Sequence, residues 1–133
     1  MGEAREVINH SLLSVSYKDK KQLKRLLRMW GTLSELGGKG DSVAICVLVD
    51  LQMVTGIDIE IYNPLDRKAF NEGYKNGVLS FPQFMAIAYT LVLGYTQEEI
   101  AWAMGVDQSV ISRNINSGIQ RLQIGLRAFN EED

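Results

Sequence analysis

A chain of 133 residues with 46% hydrophobic content can bury one good core, which predicts one compact domain or two closely packed small ones without long linkers. A net charge of −2 argues against loose, purely electrostatic binding to a polyanion. A single cysteine, Cys46, excludes an internal disulfide, and its apolar neighbours predict a buried, unreactive thiol.

The opening MGEAREVINH lacks the charged-then-apolar layout of a secretory signal, and no apolar run approaches the roughly 18 residues of a membrane span. A cytoplasmic protein without membrane contact is expected. Charge is uneven along the chain: Lys18, Lys20, Lys21, Lys24, Arg25 and Arg28 are opposed only by Asp19. Over Lys20 to Leu36 the apolar residues Leu23, Leu26, Leu27, Trp30, Leu33 and Leu36 follow a three-four spacing, with the cations on the other side, so an amphipathic helix is predicted. Gly37-Gly38 stops it. The GGKGD turn at residues 37 to 41 lacks the spacing of a phosphate-binding P-loop.

Asp41 or Ser42 can cap the following segment, SVAICVLVDLQMV, whose apolar residues on nearly all sides predict a buried central helix. The β-branched Val43, Ile45, Val47, Val49 and Val54 make a strand the competing reading, but length and the alanine, leucine and methionine content favour helix. The middle of the chain is acidic, with Asp41, Asp50, Asp58, Glu60, Asp66 and Glu72 against Arg67 and Lys68. Ile57, Ile59 and Ile61 alternate with Asp58, Glu60 and Tyr62 as in a short strand or extended connector around residues 57–61, which Asn63-Pro64 ends. Leu65 to Tyr74 predicts one short helix, and Lys75-Asn76-Gly77 a turn. Asp58 and Glu60 would share a strand face, but nothing nearby supplies a third ligand for a magnesium ion, so a solvated edge is expected.

The C-terminal part carries the most specific signals. Thr96 and Glu99 form a reciprocal capping box for a helix from Gln97 to about Met104, with Ile100, Ala101 and Met104 on one face. Gly105 suits a left-handed turn, after which Val106 can tuck between the helices and Asp107 can cap the next one. From Gln108 onward Val110, Ile111, Ile115, Ile119 and Leu122 recur at helical spacing. Gln108, Ser109, Ser112, Arg113 and Asn116 occupy the opposite face. Arginine can pair bidentately with guanine, glutamine and asparagine with adenine, and serine with bases or phosphates, so this face suits the major groove of duplex DNA. Acidic residues are absent from Gln108 to Asn130, and Arg113, Arg121 and Arg127 make the segment locally basic. An ordinary helical hairpin with a solvated polar face is the competing interpretation.

The runs GYTQEEIA, MGV and QSVISRNI resemble the helix-turn-helix of the C-terminal promoter-reading domain, region four, of bacterial sigma factors, and of sigma-like regulators of phages and prophages. Upstream, Ser80-Phe81-Pro82-Gln83 followed by Phe84, Ile87, Ala88 and Leu91 looks like the preceding helix of that domain, so the resemblance covers about Ser80 to Leu122 and not the first 79 residues. It implies that the second helix of the motif enters the major groove, with Gln108, Ser109, Ser112, Arg113 and Asn116 at the bases and Thr96 at the backbone. Arg121 joins this set as a basic contact. Two positions depart from the family pattern. Trp102 stands where a solvent-facing polar residue is usual, and packing against the N-terminal part of the chain is the expected explanation, ahead of a partner contact. Gly118 sits in mid-helix, at about 1 kcal/mol relative to alanine.

Catalytic constellations are poor: His10 is the only histidine, no cysteine-histidine set has metal spacing, and no serine sits in a nucleophile elbow. The expected protein is therefore mostly α and not an enzyme, with no cofactor or metal. A helical oligomerisation or partner region is expected over residues 1–79, and a sigma-like DNA-binding domain over residues 80–133. The expected function is sequence-specific transcription regulation, phage or prophage encoded, on double-stranded DNA. RNA polymerase and a second copy of the chain are the candidate protein partners, and Trp102, Lys20, Lys21, Lys24, Arg25 and Arg28 the candidate partner surface. Two alternatives stand beside it, a phage DNA-packaging or replication component and a helix pair used only for protein contacts.

Overall fold

The computed structural model describes residues 17–57 and 77–130. His10, the alternating segment beyond Ile57 with Asp58 and Glu60, and the short helix predicted over Leu65 to Tyr74 lie outside the described residues. The described chain is mostly helical and contains no strand. No helix among these residues is long and apolar enough to cross a membrane.

The amphipathic run after Asp19 forms two helices, not the single one its periodicity predicts. Helix α1 spans Lys20–Arg28 and α2 spans Trp30–Gly38, with Met29 between them at φ −87, ψ 9. The Met29 N–H is shared between the carbonyls of Arg25 and Leu26, both at 3.0 Å, which tightens the last turn of α1. Gly31 and Thr32, both weak helix formers, follow directly, so little intrinsic propensity resists the break. The apolar stripe survives it: Leu23, Leu26, Leu27, Trp30 and Leu33 are all buried.

Helix α3, Ser42–Thr55, starts where Asp41 Oδ1 accepts the Ala44 N–H at 3.1 Å and ends at Gly56, which adopts the left-handed conformation at φ 77. Helix thus prevails over the strand that its β-branched residues would favour. The expectation of burial on nearly all sides is not met. Ala44, Val47, Leu48, Leu51 and Val54 are buried, whereas Ile45, Val49, Met53 and the thiol-bearing Cys46 are exposed. The expectation of a buried thiol fails for the same reason: among the described residues α2 and α6 pack against α3, and the side that carries Ile45, Cys46, Val49 and Met53 lies open.

Helix α4, Phe81–Ile87, begins with a capping box in which Ser80 and Gln83 satisfy each other's N–H groups, and Pro82 sits in the first turn. It continues as a π-helical segment, Ala88–Val92, closed by Leu93 N–H donating to Ala88 O at 2.9 Å. Two further helices follow, α5 over Gln97–Met104 and α6 over Gln108–Asn130.

The long α6 is the organising element, packing against α1, α3, α4 and α5. Its glycines make the close crossings possible. A Cβ added at Gly118 would lie 2.5 Å from Ile87 Cδ1, and one added at Gly125 would lie 2.5 Å from Val54 Cγ2. The helix-propensity cost of Gly118 is thus matched by access to α4. One continuous core draws Leu23, Leu27, Leu33 and Leu51 from the N-terminal part, and Phe84, Ile87, Ile111, Ile119, Leu122 and Leu126 from the C-terminal part.

Candidate nucleic-acid interface

The turn between α5 and α6 follows from local chemistry. Thr96 Oγ1 accepts the Glu99 N–H at 3.0 Å, and Glu99 Oε1 accepts the Thr96 N–H at 3.0 Å. The hydrogen bond from the Thr96 backbone holds the Glu99 carboxyl below its usual range. Gly105 ends α5 in the left-handed region at φ 67, ψ 34, and the Val106 N–H then donates to Ala101 O at 3.0 Å. The Val106 side chain does not tuck between the helices as expected; it is 37% exposed. Its backbone N–H does the closing, which places the side chain on the outside of the turn. Ile100 and Ala101 face inward, while Met104 on the same stripe is 39% exposed because α5 ends there. Asp107 immediately precedes α6, and its carbonyl accepts the Val110 N–H at 3.0 Å.

Helix α6 divides as its period implies. Ile111, Ile115, Ile119 and Leu122 are buried, whereas Gln108, Ser109, Arg113 and Asn116 are exposed and Ser112 is half-buried. Arg113 lies back along the helix, its Nε donating to Ser109 O at 3.4 Å. Arg121 is exposed further along the helix, and Thr96 is exposed at the start of α5. The structure thereby brings the base-reading candidates onto one accessible surface.

A relationship between distant parts of the chain extends that surface. Lys24 Nζ of α1 donates to Asn116 Oδ1 at 3.3 Å, so the cationic side of α1 borders the polar face of α6. Lys24 and Arg28 line a recess of about 180 Å³ together with Thr90, Leu91, Tyr95, Thr96, Gln97 and Ile115. Sequence periodicity places the cations on one side of α1, but no local signal reveals which element that side meets. Lys20, Lys21, Arg25 and Arg28 are exposed, and none of these cations nor Lys24 forms an ion pair among the described residues. The only acid beside them in sequence, Asp19, is engaged at its own helix start, where Oδ1 accepts the Lys21 N–H at 2.9 Å.

Trp102 does not pack against the described residues of the N-terminal part. It is 86% exposed, because its position on α5 points away from both α6 and α1. It lines a separate open groove of about 930 Å³ with Phe81, Met85, Tyr89, Tyr95, Glu98, Glu99, Ile100, Ala103 and Met104. No residue of the α6 polar face contributes to that groove. Comparison of the chain with protein-family models, with curated proteins and with solved structures finds no match to any of them.

Proposed function

We propose that this protein binds specific duplex DNA by inserting the polar face of α6 into the major groove, and that it acts in the cytoplasm as a transcription regulator and not as an enzyme. The observation that carries the proposal is the exposed set Ser109, Arg113 and Asn116 on one side of a helix whose other side, Ile111, Ile115 and Ile119, is anchored in the core, with Gln108 exposed at the helix's first residue. A rigid helix with base-reading side chains is the arrangement that direct readout requires. The resemblance of residues 80–122 to the promoter-reading domain of sigma factors and phage regulators supports the same assignment. In this proposal Arg113 and Gln108 discriminate bases, Ser109, Ser112 and Asn116 complete the contact, Thr96 and Arg121 touch the backbone, and the N-terminal helices dimerise or meet RNA polymerase.

Selection of bound duplexes from a random library tests the proposal, with Arg113→Ala in parallel. One enriched motif is expected, and the variant should lose roughly 1 to 3 kcal/mol of specific binding with preference relaxed at one base pair. Absence of enrichment, or unchanged specific affinity in the variant, would overturn it. A second reading, a helix pair used only for protein contacts, is favoured by one observation, the exposure of Trp102 beside the apolar groove. It predicts no binding to random duplex even at low salt, where electrostatic attraction is strongest.

A further inference from the structure

We infer that α1, which lies outside the helix pair that carries the base-reading candidates, grips the phosphodiester backbone of the same duplex through Lys24 and Arg28. The inference rests on the DNA-binding proposal and adds a binding site to it. Lys24 Nζ sits 3.3 Å from Asn116 Oδ1, at the edge of the polar face of α6. A duplex whose major groove receives α6 therefore brings its flanking backbone over Lys24. An ammonium has three donors, so Lys24 can keep its bond to Asn116 while donating to a phosphate oxygen. Arg28 lies one turn further along α1, about 6 Å away in helix rise, and opens onto the same recess of about 180 Å³.

Two features make that recess suited to an anion. Both cations lack a carboxylate partner among the described residues, so their charge is not neutralised within the fold. Thr96 and Gln97, at the start of α5, also line it; the capping box takes up the N–H groups of Thr96 and Glu99, which leaves those of Gln97 and Glu98 without an intrahelical acceptor. Glu98 lines the separate apolar groove, and the Glu99 carboxylate is held by the Thr96 N–H at 3.0 Å, so Lys24 and Arg28 carry the attraction for the phosphate. Because phosphate contacts hold a duplex without reading its sequence, this site contributes affinity and orientation while base choice stays with α6. It also explains how a chain of net charge −2 can bind a polyanion: its positive charge is concentrated where the backbone passes.

The test is a salt series on the full chain with the Lys24→Gln/Arg28→Gln double variant, using both the selected duplex and random duplex. Glutamine keeps a donor for Asn116 and removes only the charge. The slope of log affinity against log salt should fall by about 1.8, since each phosphate contact contributes about 0.9. Affinity for both duplexes should fall by the same factor, with the selected motif unchanged. Lys39→Gln, which removes a cation that faces Glu35 at 3.5 Å, should leave the slope as in the wild type. An unchanged slope in the double variant, an equal effect per charge from Lys39→Gln, or a loss confined to the selected duplex would overturn the α1 contact while leaving α6 reading intact. A wild-type protein that binds no duplex at low salt would instead remove the underlying proposal. A thermal unfolding midpoint matching the wild type shows that the double variant is folded; a lowered midpoint transfers the comparison to the exposed Arg28 alone, as Arg28→Gln, whose slope should fall by about 0.9.

Discussion

Gln83 in α4 reaches Ser117 in α6: its Nε2 donates to Ser117 Oγ at 3.1 Å while its Oε1 accepts the Ser80 N–H at 2.9 Å. One buried amide thus closes the start of α4 and ties that helix to the base of the proposed reading helix. Removing it loses a cap interaction and an interhelical bond together. Gln83→Ala should destabilise the protein by about 2 kcal/mol, the sum of roughly 1 for each, measured by urea unfolding. Ser117→Ala should cost about half as much, and the double variant less than the sum, because the two share a bond. Additive losses would show that the two residues act independently.

The glycines of α6 should resist replacement in spite of helix propensity. Alanine gains about 1 kcal/mol over glycine in a helix interior, but overpacking a filled core costs about 1 to 3 kcal/mol. At Gly118 the added methyl meets the terminal Cδ1 of Ile87, which can turn only within a fully buried site. At Gly125 it meets Cγ2 of Val54, a branched side chain stiff at its first torsion. Gly118→Ala should therefore be neutral to mildly destabilising, and Gly125→Ala clearly destabilising, in thermal unfolding. A stabilised Gly125→Ala protein would show that α3 and α6 cross less closely.

The two tryptophans differ in a way that fluorescence can read. Trp30 is 3% exposed and Trp102 is 86% exposed. Acrylamide should quench about half of the native emission readily and the rest poorly, and Trp102→Phe should remove the quenchable half. Because Trp102 supports no core contact, its replacement should change stability by no more than about 0.5 kcal/mol. A large loss of stability would mean that Trp102 packs against the chain after all.

Asp50 gives the fold a local pH dependence. Burial pushes its carboxyl above the usual aspartate range, and the Tyr17 hydroxyl, donating to Oδ2 at 3.3 Å, pulls the other way. Burial, then the Asp50 charge, raises the Tyr17 phenol as well, which keeps it protonated and donating. A carboxyl with a raised native value binds its proton more tightly in the folded state. The resulting stabilisation is fully present below the unfolded aspartate value and is lost as pH rises through the native value. Asp50→Asn keeps an acceptor for Tyr17 and removes the ionisation, so stability at neutral pH should rise and its slope between about pH 4 and 7 should flatten. Urea midpoints across that range decide it, and a less stable Asn variant at neutral pH would reverse the assignment.

Much of the C-terminal part was legible because its signals are local. Thr96 with Glu99 and the left-handed Gly105 each act within a few residues, so this cap and turn emerge from sequence alone. The period of Ile111, Ile115, Ile119 and Leu122 likewise determines which side of α6 is buried. The break at Met29 was not legible, since apolar periodicity runs through it unchanged and only a shared hydrogen bond marks it. Burial around α3 is not legible for a different reason: composition tells how apolar a helix is, not how many neighbours will cover it, and Ile45, Cys46 and Met53 are left open.

The sequence by itself determined the helix pair Gln97–Met104 and Gln108 onward, the Thr96–Glu99 cap, and the polar stripe through Ser109, Arg113 and Asn116, because each depends on residues within one or two turns of one another. Tertiary structure alone decided that Lys24 meets Asn116, that Gly118 and Gly125 admit Ile87 and Val54, and that Trp102 stands clear of the core. Those outcomes depend on which surfaces of separate helices come into contact, and a helical period specifies a face without specifying its partner.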